Sequence, residues 1–400
     1  MNFSLFLWIV TGLIFFYAVI CSFYNFIFAF ASLFYKRGTI SDNPKTSFLV
    51  LIPAYKEDEI IIDSALRNAS VIDYPMDKFQ IVVIADQLQT KSIEQLNQIG
   101  PNVSVHEVAF EKSTKVKSLN SAISAHTQDS FDHIVILDAD NVVAPDFLKR
   151  VNTCVEQGYK AIQGRRKAKN KNNDLSLLDG LSEEINNSIF RKGGNVLRFS
   201  SPISGSGMSY EYDLLKEIME SEGALGGFDK MLQIRVVERR VKIKYCAEAV
   251  VYDEKTDDQA VFKNQRKRWL NSHFTYFKRF VGNGFTGLFK LNFDLFNLAI
   301  FIHGLLPRSF NVIILGALLV ISILTPDVYF LHFTWCFVLF SMFLIANLLA
   351  IPREYWNIQL LKAGLSLPRT MLNMFIALLK INESKKSFIH TPHKKHSTNE

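Results

Sequence analysis

The sequence predicts an α/β fold in which a mostly parallel sheet is flanked by helices, with transmembrane helices at both ends. Two observations predict it. Short β-branched runs alternate with segments of helical spacing in the middle of the chain, and long charge-free apolar segments lie near both ends. We divide the chain into an N-terminal transmembrane helix (1–35), a cytoplasmic domain (36–280), interfacial helices with two transmembrane helices (281–382) and a basic cytoplasmic tail (383–400).

The first segment, from Met1 to Tyr35, carries no formally charged residue. About 20 apolar residues suffice for a helix to cross a hydrocarbon core of about 30 Å, so this segment is long enough to span. A cleaved secretory signal is the alternative, but it would have a basic start, a shorter apolar run and a small-residue cleavage site. This segment begins Met1-Asn2-Phe3 and stays bulky throughout. We therefore expect one membrane-spanning helix here.

In the middle of the chain, β-branched runs bounded by polar or turn residues predict buried strands. They cover Phe48–Pro53, Gln80–Ala85, Val103–Val108 and His133–Leu137. Segments with helical spacing lie between them, at Glu57–Ser70, Lys91–Ile99 and Val116–His126. This alternation is typical of parallel strands whose connecting helices cover both faces of the sheet.

Two further apolar segments near the other end, Ser309–Pro326 and Val328–Pro352, are free of Asp, Glu, Lys and Arg. Each can span a membrane, and the turn Thr325-Pro326-Asp327 between them predicts a tight hairpin of two antiparallel spans. Leu295–Pro307 and Phe375–Leu379 are apolar but short. We expect Phe375–Leu379 to form an interfacial amphipathic helix, and Leu295–Pro307 either to lie at the membrane interface or to extend the span that follows it.

The positive charge that flanks the spans predicts their orientation, because Lys and Arg in short segments favour the cytoplasmic side. Lys36-Arg37 follow the first span, and four lysines lie after Ile381. We therefore expect an integral protein of the plasma or inner membrane, with its N-terminus outside and its middle domain (36–280) cytoplasmic. The net charge of +7 suits contact with membrane lipids. Nucleic acid is not an expected partner, because the basic runs lack interleaved aromatic residues. The four scattered cysteines have no metal-type spacing.

Acidic residues fall at the carboxyl ends of the predicted strands, where ligands bind in such sheets. Glu57 follows the first strand, Asp86 ends the second and Asp138 ends the fourth. Each has a structural alternative at a helix N-terminus or a turn, but an acidic rim is tolerated only when a cation neutralises it. In an extended Asp138-Ala139-Asp140 segment both carboxylates would project to one side. Such hard oxygen ligands suit Mg²⁺ or Mn²⁺, shared with a diphosphate.

Lys115 stands where the third predicted helix begins. A lysine at that place can reach a phosphate, and the alternative is a solvated side chain. The chain has no Gly-x-Gly-x-x-Gly after the first strand and no P-loop, which argues against dinucleotide redox cofactors and ATP hydrolysis.

The motifs occur together in an order that resembles the membrane-bound family 2 glycosyltransferases, which include cellulose, chitin and hyaluronan synthases and ceramide glucosyltransferase. The resemblance covers roughly Phe48–Phe274. It rests on Ile52-Pro53-Ala54-Tyr55-Lys56-Glu57, Asp86, Lys115 with Ser118-Leu119-Asn120, Asp138-Ala139-Asp140, Ser204-Gly205-Ser206-Gly207, Asp229 and Gln265-Arg266-Lys267-Arg268-Trp269.

This resemblance implies a GT-A-like catalytic domain and a role for each matching residue. Asp229 is the implied catalytic base. Asp138 and Asp140 are the implied metal ligands for Mg²⁺ or Mn²⁺, with Asp140 the better candidate. The implied acceptor site consists of Ser204, Gly205, Ser206 and Trp269. The implied nucleotide-sugar site consists of Pro53, Glu57, Asp86, Lys115, Asp138, Gln265, Arg266, Arg268 and Trp269.

Alternatives remain for the motif Gln265–Trp269, which precedes the apolar segments near the other end of the chain. Trp269 is either a flat face for a sugar ring or an interfacial anchor, and Arg266 and Arg268 are either diphosphate ligands or lipid-facing cations. The sequence also departs from the family pattern at the base. Gly227-Phe228-Asp229 stands where Thr-Glu-Asp is common, so a neighbouring acid such as Glu222 is a candidate helper. The run after Asp86 lacks a second acid that many members have.

The expected function is inverting, metal-dependent transfer from a UDP-sugar to a growing polysaccharide or surface glycan at the cytoplasmic membrane face. One alternative is the addition of a single sugar to a lipid acceptor, and another is a membrane scaffold with an inactive site. Three spans are few for a translocation channel, so a polymerase would need an oligomer or a translocation partner. The sugar, the acceptor, the linkage position and the number of additions stay open.

Overall fold

The computed structural model describes residues 3–41, 43–126, 131–221, 228–325, 331–360 and 362–364. Its strands are β1 (Phe48–Tyr55), β2 (Phe79–Asp86), β3 (Val103–Val108), β4 (His133–Ile136), β5 (Val142–Val143), β6 (Ala161–Ala168), β7 (Met208–Glu211) and β8 (Ile243–Asp253). The helices that precede β8 are α1 (Phe3–Ser32), α2 (Asp58–Val71), α3 (Thr90–Asn97), α4 (Lys115–Ala125), α5 (Phe147–Glu156), α6 (Asp174–Asn186), α7 (Gly194–Val196), α8 (Tyr212–Ser221) and α9 (Phe228–Glu238). Those that follow are α10 (Gln259–Phe289), α11 (Phe293–Phe296), α12 (Arg308–Leu324) and α13 (Phe333–Leu349). Asn187–Gly193 and Asn297–Ile302 are π-helical, and Met76–Lys78 and Arg353–Tyr355 are 3₁₀ turns.

The strands form one sheet in the order β3-β2-β1-β4-β7-β6-β8-β5. β1 to β4 pair in parallel, as predicted, and so do β6 and β8. β7, however, runs antiparallel to both β4 and β6, and β5 runs antiparallel to β8. The expectation of a mostly parallel sheet is therefore corrected to a mixed sheet. Strands as short as β5 and β7 are too brief to show a period-two pattern in the sequence.

The four predicted strands correspond to β1 to β4, and the three predicted helices to α2, α3 and α4. Alternate residues of β1 pack into different cores. Leu49 and Leu51 lie in a core shared with α4 and α9, whereas Val50 and Ile52 lie in a core shared with α2 and α5. Because both faces of β1 are covered, its apolar residues form an unbroken run rather than an alternating one.

The membrane segments differ from the prediction. In the described part of the chain, α1 is the one helix that is long and apolar enough to cross a membrane, by length and composition, over Leu7–Ser32. α12 and α13 have 17 residues each, or about 26 Å at 1.5 Å per residue, which is short of a hydrocarbon core of about 30 Å. The predicted spans at both ends are thus corrected to one candidate span at the N-terminus. Pro307 occupies the N-cap position of α12, and His332 occupies that of α13, where its side chain accepts from the Thr334 N–H.

Several sequence predictions lie outside the described residues. They are Phe375–Leu379, the basic tail 383–400, Pro326-Asp327 of the turn and Glu222. Leu295–Pro307, which we expected either at the interface or as an extension of the following span, contains part of α11 and the π-helical segment 297–302.

Helix α1 packs against both α12 and α13, and it is docked to the catalytic domain. Ala18 and Cys21 share a core with Leu315 and Phe343. Further along α1, the backbone of Phe28 lies directly against Gly193, where an added β-carbon would overlap the Phe28 carbonyl. The glycine therefore allows α1 to approach the π-helical segment at backbone distance.

Candidate functional site

The site lies at the carboxyl ends of β1, β2 and β4. Asp86 is the last residue of β2 and pairs with Tyr55, the last residue of β1. Beyond these strand ends, Lys56 and Gln87 adopt left-handed backbone angles, with φ of 55° and 58°. Such angles are costly for residues other than glycine and cluster at functional sites. Asp138 follows β4, which lies on the other side of β1, so Asp86 and Asp138 are separated by about two strand spacings, or about 10 Å.

Asp86 is 2% exposed and accepts a hydrogen bond from the Ser113 hydroxyl at 3.0 Å. Burial raises the pKa of Asp86, although Ser113 and the nearby charge of Lys56 oppose that effect. A buried carboxylate at the end of a strand can accept a hydrogen bond from a flat, uncharged group that carries an N–H donor.

Glu57 and Pro53 contribute differently. Glu57 occupies the N-cap position of α2, and its carboxylate lies 3.4 Å from the backbone N–H of Tyr55. This placement agrees with the structural alternative of a carboxylate at a helix N-terminus. Pro53 lies within β1 opposite Ile84, two residues before the strand end.

Lys115 connects Asp138 to the loop that contains Gly205. Its Nζ donates to Asp138 Oδ1 at 2.5 Å and to the Gly205 carbonyl at 3.1 Å, and it lies 5.3 Å from the ring centre of Phe228. Lys115 begins α4, whose N-cap Thr114 accepts from the Lys117 N–H. The lysine is therefore held at the rim of the sheet rather than simply solvated.

Asp229 lies against the same loop. Gly205 has a φ of +81°, and a β-carbon built on it would lie 3.7 Å from Asp229 Oδ2. The loop is fixed to the strand end, because Ser206 Oγ accepts from the Asp138 N–H at 3.0 Å. Asp138, Lys115, Gly205 and Asp229, which are far apart in the sequence, thus form one connected cluster.

Asp138 and Asp140 do not lie on an extended segment, as the sequence argument assumed. The Asn141 N–H donates to the Asp138 carbonyl at 3.0 Å, which closes a turn. Asp140 is buried, and its carboxylate accepts from Asn141 Nδ2 at 2.9 Å and from the Glu254 N–H at 3.3 Å. Among the described residues no group of three or more His, Cys, Asp or Glu could hold a metal. Two carboxylates nevertheless fit Mg²⁺ or Mn²⁺, since such ions complete their shells with phosphate oxygens and water.

The motif on α10 divides into two settings. Arg268 lies in the field of Asp138: burial lowers the pKa of Arg268, and Asp138 opposes that shift. Arg266 instead forms an ion pair with the buried Asp179, and its guanidinium carbon lies 4.6 Å from the ring centre of Trp269. Trp269 is 37% exposed. Gln265 Oε1 is buried and has no hydrogen-bond partner in the described part of the chain.

Sequence reasoning missed an ionic cluster behind the loop that contains Ser204, made of Arg166 on β6 with Asp253 and Lys255. Arg166 donates to the Ser204 carbonyl at 2.9 Å and pairs with Asp253. Lys255 Nζ lies 3.0 Å from the same carboxylate. The basic run Arg165-Arg166-Lys167 at the end of an apolar strand was the available signal.

Comparison with known proteins adds a family and a fold. The family model described as glycosyltransferase like family 2 matches residues 44–272, more than half of the chain. A probable glycosyltransferase of Bacillus subtilis (strain 168), YdaM, is 22% identical over 349 residues, which are 86% of this chain and 80% of that protein. An N-acetylglucosaminyltransferase of Rhizobium leguminosarum bv. viciae is 24% identical over 269 residues, 62% of each chain.

Among solved structures, the mannosyltransferase PcManGT from Pyrobaculum calidifontis, in complex with GDP-Man and Mn²⁺, is similar with a TM-score of 0.52. The identity is 17%, and the match covers 92% of this chain and 97% of that chain. At this identity the likeness shows the fold alone. The α/β fold of GT-A type that the sequence resemblance implied is thereby confirmed.

Proposed function

We propose a specific reaction for this chain, which belongs to the glycosyltransferase-like family 2 and is a glycosyltransferase. The reaction is inverting, metal-dependent transfer of a sugar from a UDP-sugar to a growing polysaccharide or surface glycan at the cytoplasmic membrane face. The observation that carries the proposal is the double contact of Lys115 with Asp138 and with the Gly205 carbonyl. Through these two contacts, Lys115 joins Asp138, the acid assigned to the donor, to the loop that lies against Asp229, the acid assigned to the acceptor.

The donor site is assigned to the strand ends. Asp86, buried and oriented by Ser113, would accept from the nucleobase. The nucleotide-sugar-binding set from the sequence would hold the rest of the donor, with Lys115 and Arg268 beside Asp138. Mg²⁺ or Mn²⁺ held by Asp138 and Asp140 would neutralise charge on the leaving diphosphate. A nucleotide-sugar donor and a divalent ion are also what the mannosyltransferase structure contains.

The chemical step assigned to Asp229 is proton abstraction from the acceptor hydroxyl. The acceptor oxygen then forms its bond to the anomeric carbon from the face opposite the diphosphate. The bond from that carbon to the diphosphate oxygen breaks, and UDP leaves with the electron pair. Inversion converts an α-linked donor into a β-linked product. Arg268 would stabilise the developing negative charge, because it is a fixed cation in the field of Asp138, the acid assigned to the donor.

The proposed location rests on α1 as a membrane anchor, with α12 and α13 packed beside it. Their outward surfaces are apolar, since Leu13, Phe16, Ile323 and Trp335 are exposed. The basic pair Lys36-Arg37 after α1 favours a cytoplasmic catalytic domain.

Addition of one sugar to a lipid acceptor is the second candidate. The observation that favours it is that one described helix is long enough to span the membrane. A polymer would need an oligomer or a partner to cross, whereas a lipid acceptor already lies in the bilayer.

The decisive experiment supplies membranes containing the purified full chain with a panel of radiolabelled nucleotide sugars, in the presence of Mg²⁺ or Mn²⁺. Extraction then separates a polymer product from a glycolipid product. Asp229→Asn should lower kcat by about 10²–10⁴-fold while the dissociation constant of the donor stays unchanged. Asp77→Asn is the matched control, because Asp77 is exposed and lies before the start of β2, at the opposite end of that strand from Asp86. Retained turnover in Asp229→Asn would move the base elsewhere.

The metal assignment has its own variant. Asp140→Ala should abolish metal-dependent donor binding, measured by titration of the UDP-sugar with and without the ion. A donor affinity that responds to the ion as strongly as in the unmodified protein would contradict the assignment.

A further inference from the structure

A cavity of about 210 Å³ lies where the chain leaves α1 and meets the catalytic domain. Tyr35 and Lys36 line it from the end of α1, Arg150 lines it from α5, and Lys244 lines it from the start of β8. Lys244 and the site residue Asp253 lie at opposite ends of β8, separated by about 30 Å of extended chain. The cavity is therefore separate from the proposed donor and acceptor sites.

The lining carries an excess of positive charge. Lys36, Arg150 and Lys244 contribute three cations, and Glu248 contributes one carboxylate, which accepts a hydrogen bond from the Tyr35 hydroxyl at 3.3 Å. Arg150 is partly neutralised by Asp146, 2.8 Å away. Among the described residues neither Lys36 nor Lys244 has a carboxylate within ion-pair distance, and Lys244 Nζ lies 5.2 Å from the ring centre of Tyr159. Two unpaired cations at one cavity repel each other, and bound negative charge would relieve that repulsion.

Neighbouring residues extend the positive field. Lys192 Nζ lies 5.9 Å from the Tyr35 ring centre. Burial lowers the pKa of Lys192, and the positive charges of Arg165 and Arg37 lower it further. Glu184 and Glu248 oppose the two arginines, and burial is the largest cause of the lowered pKa, so Lys192 adds one further cation beside the cavity.

The place of the cavity relates it to the membrane. α1 ends at Ser32, and the exposed apolar side chains Leu33 and Phe34 come directly before Tyr35 and Lys36. The cavity mouth thus lies within four residues of the candidate span. When a helix ends at the boundary of the hydrocarbon core, the residues that directly follow it lie at the level of the lipid phosphates.

We propose that this cavity binds the phosphate group of an anionic lipid headgroup, held by Lys36, Arg150 and Lys244. The oxygens of a phosphate diester accept hydrogen bonds from several cationic donors at once. A phosphate group therefore fits a site with two lysines and a guanidinium better than a carboxylate ligand does. The lipid source rests on the proposed membrane location of α1. The phosphate site itself rests only on the cavity and its charges.

The cavity contains its own reporters, because the free thiols of Cys154 and Cys246 also line it. We would purify the full chain in dodecyl maltoside and measure the rate of iodoacetamide alkylation at each cysteine by peptide mass spectrometry. The additions are dioctanoyl-phosphatidylglycerol, inorganic phosphate or dioctanoylglycerol, which has the same tails without a phosphate. All four cysteines are buried, so the alkylation rate measures how often each thiol becomes accessible. Cys21 and Cys336, which lie in the apolar helices, serve as internal references.

Phosphatidylglycerol should slow alkylation of Cys154 and Cys246 by at least about fivefold and leave the two reference cysteines unchanged. Dioctanoylglycerol should have no effect. Protection by inorganic phosphate at the same concentration as the lipid would identify a soluble phosphoryl ligand and overturn the lipid source. Failure of both phosphate compounds to protect would overturn the site.

Lys244→Glu should raise the half-protecting lipid concentration about tenfold or more, the loss expected for a charge-assisted contact. Lys91→Glu, at an exposed position of α3, changes the net charge equally and should leave that concentration unchanged. If Lys244→Glu lowers the thermal midpoint, Lys36→Glu, at an exposed position, replaces it. Equal lipid protection in the cavity variant and the control would refute the proposal. Sugar transfer, assayed separately, tests the proposed function and not this site.

Discussion

Replacement of Arg166 by methionine should destabilise the catalytic domain strongly. The Arg166 side chain is 16% exposed and pairs with Asp253, which is 3% exposed. It also donates to the Ser204 carbonyl at 2.9 Å. Methionine fills similar space but removes the charge and all the donors. Asp253 would keep Lys255, 3.0 Å away, as its partner.

The size of the effect follows from these contacts. Breaking a buried ion pair costs about 3–5 kcal/mol, because the remaining charge stays buried without its partner. Lys255 keeps Asp253 partly neutralised, which places the loss at the lower end, about 3 kcal/mol. For a domain of this size, that corresponds to a fall in Tm of about 6–12 °C.

Thermal unfolding of the detergent-purified chain, followed by circular dichroism, measures this loss. Lys160→Met is the control, since Lys160 forms an exposed pair with Glu211 at 2.8 Å and such pairs contribute about 0–1 kcal/mol. Combining Arg166→Met with Asp253→Asn should cost less than the sum of the single changes, because both break the same pair. A Tm shift no larger than that of the control, or strictly additive losses, would refute the reasoning.

The other two predictions concern the docking of α1 and acid stability. Gly193→Ala should destabilise by about 1–3 kcal/mol, because its β-carbon would overlap the Phe28 carbonyl. Gly194→Ala, whose nearest atom would lie at 3.7 Å, should be neutral or stabilising; equal Tm values for the two variants would contradict the docking. Burial acts to raise the pKa of Glu183, but Arg191 and other cations lower it from 4.5 to about 2. The resulting stability, about 3 kcal/mol, is complete above about pH 4.5 and is lost as the pH falls towards 2. Glu183→Gln should therefore unfold more easily at pH 7 and show a flatter stability curve in acid, and an unchanged curve would contradict the assignment.

The parallel half of the sheet was predictable because its strands are buried on both faces. β1 to β4 appear in the sequence as short, continuous β-branched runs, and the helices between them show their own period. The acids at the strand ends followed from the rule that ligands bind at the carboxyl edge. The ends of β5 and β7, by contrast, depend on pairing with strands that are distant in the sequence, and four or fewer residues carry no periodic signal.

The candidate site residues could be selected from the sequence, but the contacts they make could not. Lys115 resembles many solvated lysines, and its position between Asp138 and Gly205 arises only because β4 and the loop before β7 meet in the sheet. The turn at Asp138-Ala139-Asp140 depends on the Asn141 N–H, which local sequence did not reveal. Arg166 stands in a basic run, but that run did not identify its partners, which lie 38 and 87 positions away.

Local patterns determined three features of this protein: an α/β domain of a family 2 glycosyltransferase, charge-free apolar segments near both ends, and a set of candidate residues for a nucleotide-sugar site. These features follow from periodicity, composition and motif order, which neighbouring residues express. The folded chain showed that, within the described ranges, α1 is the one helix of spanning length. It also added the mixed sheet, the cluster around Lys115 and the basic cavity at the end of α1. Each of those arises from contacts between segments far apart in the chain, and the energy of such contacts depends on distances that the order of residues does not contain.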